Sequence, residues 1–140
     1  MIISAGLVLL KDNKTKVLLA HPTNSKWTGT YQFSKGKVDN GESILNAAIR
    51  ETKEEIGVSV PLELIDTSNE YVIEYRKNKA STPYKVVHYY VADVSTLNLP
   101  DVLPKQMLEI QEMDYAAFYT KQDAETFIFH RHKTILNHLN

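Results

Sequence analysis

The spacing of apolar positions changes several times along the chain, and each change marks an element. Residues 2–10 (IISAGLVLL) and 16–20 (KVLLA) are near-continuous apolar runs separated by KDNKT, whose Asp, Asn and Lys suit a turn. Together they predict a hairpin. The following HPTNSKWTGT is rich in Pro, Gly, Ser, Thr and Asn and predicts a loop. From Ser43 the apolar stripe Leu45, Ala48, Ile49, Thr52 and Ile56 falls at spacings of three and four, which predicts a helix capped by Ser43 and ended by a left-handed Gly57. EYVIEYR and YKVVHYYVADV, joined by the polar KNKAST, predict a second hairpin. Residues 122–139 return to helical spacing, with Ala124, Ile128, Ile135 and Leu139 on one face. Strands, helix, strands, helix is the order of an α/β domain in which helices pack on a mixed sheet.

Length and composition narrow the class. At 140 residues, 43% hydrophobic and 24% charged, the chain suits one compact domain over residues 1–140. The absence of cysteine excludes disulfides, thiolate metal sites and a Cys nucleophile, and suits a reducing, cytoplasmic setting. The apolar run MIISAGLVLL falls short of the roughly 20 residues that span a bilayer, so it is expected to be a strand, with no membrane partner. A net charge of −1 argues against stable nucleic-acid binding, which calls for a basic patch.

Against that near-neutral background, the stretch Gly36 to Val58 concentrates acid: Glu42, Glu51, Glu54 and Glu55. On a helix Glu54 and Glu55 lie three and four positions beyond Glu51, so the three carboxylates fall on one face and repel by a few tenths of a kcal/mol per pair. Arg50, four before Glu54, offsets part of this. A divalent cation would offset the rest, and an all-oxygen donor set favours hard Mg²⁺ or Mn²⁺. A run of Glu on a helix more commonly forms a solvated face. Here the surroundings decide otherwise, because Gly36, Glu42, Arg50, Glu51, Glu54, Glu55, Gly57 and Val58 fit the spacing G-x5-E-x7-R-E-U-x-E-E-x-G-U, where U is aliphatic, and only Thr52 departs from it.

That stretch resembles the defining box of the Nudix hydrolases, which cleave a nucleoside diphosphate linked to another group. The resemblance implies an α/β/α sandwich with the box as loop, helix and loop. It implies metal ligands at Glu51, Glu54 and Glu55 with the Gly36 carbonyl. It also implies catalytic roles for Glu54 and Glu55, positioning by Arg50, and an outer role for Glu42. The physical logic agrees: a diphosphate bridge repels a nucleophile and gathers charge on its leaving oxygen, and cations relieve both.

Residues outside the box bear on the substrate. YQFSKGKV resembles the W-x-F-P-K-G-x-V run of family members that act on dinucleoside polyphosphates and diphosphoinositol polyphosphates, with Tyr31 for Trp and Ser34 for Pro. Lys85 to Tyr90 resembles that group's strand after the box. The likeness implies phosphate contacts from Lys35 and Lys85 and a base contact from Tyr75. Strand packing for Tyr75 and a snorkelling Lys85 are the plain alternatives. EIQEMDYAAF supplies Glu109 and Glu112. Family members often carry a Glu six before an aromatic on a loop facing the metals, and by that resemblance Glu112, six before Phe118, is a further candidate for general base, with solvation the alternative. His88 is expected to be packed or at the surface, and His130 and His132, two apart on a helix, to diverge at the surface. The expected function is metal-dependent hydrolysis of a small nucleotide, foremost a dinucleoside polyphosphate such as diadenosine tetraphosphate. The alternatives are a (deoxy)nucleoside triphosphate pyrophosphohydrolase and a nucleotide-binding module without turnover.

Overall fold

The turn KDNKT closes as predicted: Asp12, Asn13 and Lys14 all take positive φ, and Thr15 N–H returns to the Asp12 carbonyl at 3.2 Å. In the computed structural model, which describes residues 1–139, this turn joins strand β1 (Ile2–Lys11) to β2 (Lys16–Pro22), antiparallel, with Leu10 opposite Val17. The second predicted hairpin is β4 (Ile65–Tyr75) and β5 (Lys85–Asp93), also antiparallel, with Tyr75 opposite Lys85. Strand β6 (Met113–Thr120) adds to β2, and β5 lies parallel to β1, giving a six-stranded mixed sheet in the order β4-β5-β1-β2-β6, with β3 (Ser34–Lys37) paired to β1.

The placement of β3 creates the site. Strand β1 pairs with β5 along its length, but its other edge is shared: residues 4–7 face β3 and residues 10–11 face β2. The first hairpin therefore splays, and β3 enters the opening with Gly6 opposite Lys35 and Ala5 opposite Gly36. A Cβ on Gly6 would collide with the Ser34 carbonyl and with Lys35, so the close approach of the two backbones requires glycine there.

Helix α1 (Ile44–Ile56) starts at Ser43, whose hydroxyl accepts from Asn46 N–H at 3.1 Å, and ends at Gly57 with φ of 72°. It covers one face of the sheet, where Ala47, Ala48, Ile56, Leu7, Leu9 and Phe118 share a core. Thr52, the departure from the aliphatic pattern, is fully buried and satisfies its hydroxyl on the Ala48 carbonyl at 2.7 Å. The opposite face is covered by α2 (Lys121–Phe127) and α3 (Lys133–His138), around Val8, Phe33, Val87 and Tyr89. The result is the expected α/β/α arrangement.

The C-terminal segment corrects the sequence reading. Ala124, Ile128, Ile135 and Leu139 are all buried, but Ala124 and Ile135 lie on two short helices rather than one, and Ile128 and Leu139 lie in extended backbone just past the ends of these helices. Between them the backbone is extended and hydrogen-bonds to β3's approach: Tyr31 N–H donates to the Phe127 carbonyl and Phe129 N–H to the Tyr31 carbonyl, at 3.0 and 2.8 Å. A one-turn helix at His130–His132 then turns His132 inward, fully buried against Phe33, Tyr89 and Phe129, so this histidine is not the surface residue expected. Burial, reinforced by the charges of Lys35, His130 and Lys85, pushes His132 down to about 3, so the ring is neutral. His130 does lie at the surface. Among the described residues no helix is long and apolar enough to cross a membrane.

The wedge gives a test of the fold. Gly6→Ala is expected to cost about 1–3 kcal/mol, the usual penalty of overpacking, read from denaturant unfolding. Amide exchange should quicken selectively over residues 34–37. Unchanged stability with unchanged exchange would show that β3 does not need the close approach.

Candidate active site

Helix α1, strand β3 and the loop before β6 enclose a cavity of about 750 Å³. Its acidic wall carries Glu51, Glu54 and Glu55 from α1 and Glu109 and Glu112 from the loop, while Lys35, Lys37 and Lys85 enter from β3 and β5. Gly36 lies between the two sets. Ser4, Ile2, Gln32 and Met113 complete the lining and had no signal in the sequence, since each reaches the cavity only through strand pairing. The loop is tied to the helix by Glu109 N–H, which donates to the Glu55 carbonyl at 2.9 Å. Glu109 and Glu112 thus join the same acidic wall from the loop beside the end of α1, and both are exposed.

Arg50 organises the acids. Its Nε donates to Glu42 at 2.8 Å, its Nη2 to Glu42 at 2.8 Å and to the Lys37 carbonyl at 2.9 Å, and its Nη1 to Glu51 at 2.8 Å and Glu54 at 3.0 Å. Glu42 is held down to about 2 by these bonds and by the Asp39 backbone N–H. Glu42 therefore lies in an outer position, anchoring the arginine and the loop rather than facing the cavity. Glu51 is held up by burial, with Arg50 opposing. The carboxylate of Glu51 presses on Gly36, and a Cβ there would collide with it.

Glu55 differs from its neighbours. It is buried, accepts from Lys35 N–H at 3.2 Å, and is raised from 4.5 to about 7 by burial, with Ser34 and Lys35 opposing and Glu51 adding to the rise. Glu55 does not share in the Arg50 bonds that neutralise Glu51 and Glu54.

The donor set suits a hard divalent cation: Glu51, Glu54 and Glu55 line one cavity with the Gly36 backbone, and all offer oxygen. The convergence expected from sequence is nevertheless incomplete. Among the described residues no three acidic or imidazole groups are gathered closely enough to hold an ion, because Glu51 and Glu54 both turn to Nη1 of Arg50. Releasing that one nitrogen would free both acids and leave the Nε and Nη2 bonds to Glu42 and Lys37 intact.

Lys85 lines the cavity, and its Nζ lies 5.4 Å, and Arg131 Cζ 5.0 Å, from the centre of the ring of Tyr75, an expected substrate residue that does not itself line the cavity. Lys85 is lowered by burial and by the nearby charge of Lys35. Tyr75 is half-buried beside Tyr84, and Arg131 is a residue that sequence reasoning missed. His88, partly exposed, pairs through Nδ1 with Glu70 at 2.6 Å, away from the cavity.

The raised Glu55 fixes a pH dependence for the metal-free protein. Its folded value of about 7 exceeds 4.5, so no penalty exists below about pH 4.5, and stability is lost as pH rises through 7. In chelated protein, Glu55→Gln is expected to raise stability at pH 8 by up to about 3 kcal/mol, with the gain vanishing near pH 4.5. Melts across that range check it, and a pH-independent difference would contradict the burial of an unpaired carboxylate.

Comparison with known proteins agrees with this architecture. The family model described as NUDIX domain matches residues 2–136. A C. elegans Ap4A hydrolase, solved as a binary complex, superposes with a TM-score of 0.72 at 25% identity, covering 98% of this chain and 93% of that one. A MutT NUDIX hydrolase from Burkholderia pseudomallei shares the fold at a TM-score of 0.71 and 19% identity, covering 99% and 98%. An RNA pyrophosphohydrolase of Erythrobacter litoralis (strain HTCC2594) is 35% identical over 68 residues, which are 49% of this chain and 42% of that protein. With a family model matched over nearly its whole length, and with Gly36, Glu51, Glu54 and Glu55 of its box lining one cavity, the chain belongs to the Nudix family of hydrolases.

Proposed function

We propose that the chain, acting as a single domain, is a divalent-metal-dependent pyrophosphohydrolase whose preferred substrates are dinucleoside polyphosphates such as diadenosine tetraphosphate. The observation that carries this reading is the division of one cavity into an acidic wall on α1 and a basic wall of Lys35, Lys37 and Lys85. A nucleotide with several phosphates needs both: acids to hold its metal and cations for phosphates beyond the metal's reach. The likeness to an Ap4A hydrolase at 25% identity over nearly the whole chain supports the same substrate class.

Glu51, Glu54, Glu55 and the Gly36 carbonyl would hold Mg²⁺ or Mn²⁺, which would supply charge neutralisation at the phosphates and activation of the attacking water. The chain's own residues do the rest. Arg50 keeps the acids in place through Glu42 and the Lys37 carbonyl. Lys35 and Lys85 bind phosphate oxygens, and Tyr75 contributes from beside Lys85, outside the cavity lining. Glu55, raised to about 7 by burial in the metal-free protein, and Glu112, on the exposed loop that lines the same cavity, are the two candidates for taking the proton of water.

Exhaustive chelation is expected to abolish turnover and Mg²⁺ or Mn²⁺ to restore it. A panel of diadenosine tetraphosphate, nucleoside triphosphates and a 5′-triphosphorylated RNA, with products resolved by chromatography, tests the substrate. The dinucleoside compound should lead by at least tenfold in kcat/KM, about 1.4 kcal/mol of transition-state binding. A tenfold lead for a triphosphate would assign the chain to triphosphate pyrophosphohydrolysis instead. No turnover of any compound with metal present would leave a binding module.

Glu112→Gln separates the two proton acceptors. If Glu112 takes the proton, kcat falls by about 10²- to 10⁴-fold while Mn²⁺ affinity, measured by calorimetry, is unchanged. A variant that turns over at the normal rate would assign the proton to α1.

A further inference from the structure

Arg131 is outside the box and outside the runs that flank it, yet the fold brings it onto the same ring as Lys85, a residue of the basic wall. The delivery follows from the break in the C-terminal segment. The extended Ile128–Phe129 backbone docks on Tyr31, His132 is driven into the core against Phe33 and Tyr89, and its neighbour Arg131 is left exposed above Tyr75. The guanidinium carbon sits 5.0 Å from the centre of that ring, and Lys85, cross-strand from Tyr75, places its ammonium 5.4 Å from the same centre.

Lys35 and Lys85 line the cavity, and Arg131, outside that lining, joins them through the Tyr75 ring that it shares with Lys85. Among the described residues none of the three side chains has a carboxylate partner within salt-bridge distance or donates a hydrogen bond, in contrast to Lys11, Lys16, Arg50 and Arg76. Gathering like charges is unfavourable unless an anion is received there. Stacking on an aromatic face restrains a guanidinium while leaving its N–H edge, with five donors, open to phosphate oxygens, which a lysine cannot reproduce.

We propose that Arg131, seated on Tyr75, is a specificity-determining residue: with Lys85 and Lys35 it forms a subsite for the phosphates remote from the cleaved bond. The chain thereby favours longer phosphate chains. Tyr75 then serves the substrate through the cations it seats. The proposal rests on the polyphosphate reading above, but its test does not need that substrate.

The probes are inorganic tripolyphosphate and inorganic phosphate, titrated calorimetrically into the chelated full-length protein. The wild type should bind tripolyphosphate at least tenfold more tightly than phosphate. Arg131→Gln should weaken tripolyphosphate about tenfold, equivalent to about 1.4 kcal/mol, and phosphate by less than threefold. Arg131→Lys should recover at least part of the loss because the charge is kept. With the best substrate of the panel and metal present, Arg131→Gln should raise KM about tenfold with kcat within twofold. Arg131 is exposed, so its variants are expected to fold, and a melt verifies this. The proposal is overturned if the wild type shows no preference for tripolyphosphate, if the glutamine variant binds it as the wild type does, or if lysine and glutamine lose equally. A triphosphate-preferring wild type that still loses tripolyphosphate on Arg131→Gln would refute the substrate reading alone.

Discussion

The donors of one guanidinium hold together the most acidic part of the chain. Arg50 binds Glu42 through two nitrogens, the Lys37 carbonyl through one, and Glu51 and Glu54 through the last, so one side chain fixes the loop before α1, the helix itself and strand β3 relative to one another. Without it, carboxylates three and four residues apart would repel along the helix, and the loop carrying Glu42 would lack its anchor. A lysine could not do this, since its ammonium lacks the planar fork that bridges several carboxylates at once.

That anchoring matters because α1 must press acids against backbone. Glu51 lies against Gly36, and Glu55 is buried beside Lys35 N–H, both on the strand wedged between β1 and β2. The wedge exists only because Gly6 and Gly36 lack side chains where backbone and carboxylate come close. Packing and electrostatics are therefore coupled: the contact that builds the cavity leaves Glu55 desolvated and outside the Arg50 network, with its proton held to about 7.

The cavity has an opposite wall of opposite sign. Lys35 and Lys85 come from β3 and β5, two strands that each pair with β1, and Arg131 arrives beside Lys85 from the far end of the chain, where a break between two short helices turns it outward as His132 turns in. The neutral His132 ring packs beneath these cations without adding a charge, which burial would have made costly. Acid and base are thus separated across one space, each on a rigid element, a placement suited to a ligand that is anionic throughout and carries a metal at one end.

How much of this was legible in the sequence differs by region. The two hairpins, the bounds of α1 and the caps at Ser43 and Gly57 follow from local signals: turn residues at fixed places, a stripe with helical period, a hydroxyl before it and a glycine after. The acidic cluster, too, was visible, because residues three and four apart on a helix must be neighbours. What sequence could not decide depends on partners far along the chain. Nothing local in IFHRH announces that the helix will break, since the break is compensated by hydrogen bonds to Tyr31 roughly a hundred residues earlier in the chain. For the same reason His132 was misplaced and Arg131 was missed. The composition of Glu51, Glu54 and Glu55 was plain from the sequence, whereas only the tertiary structure made one of them buried and two of them partners of Arg50, because desolvation and ion pairing belong to the environment and not to the residue.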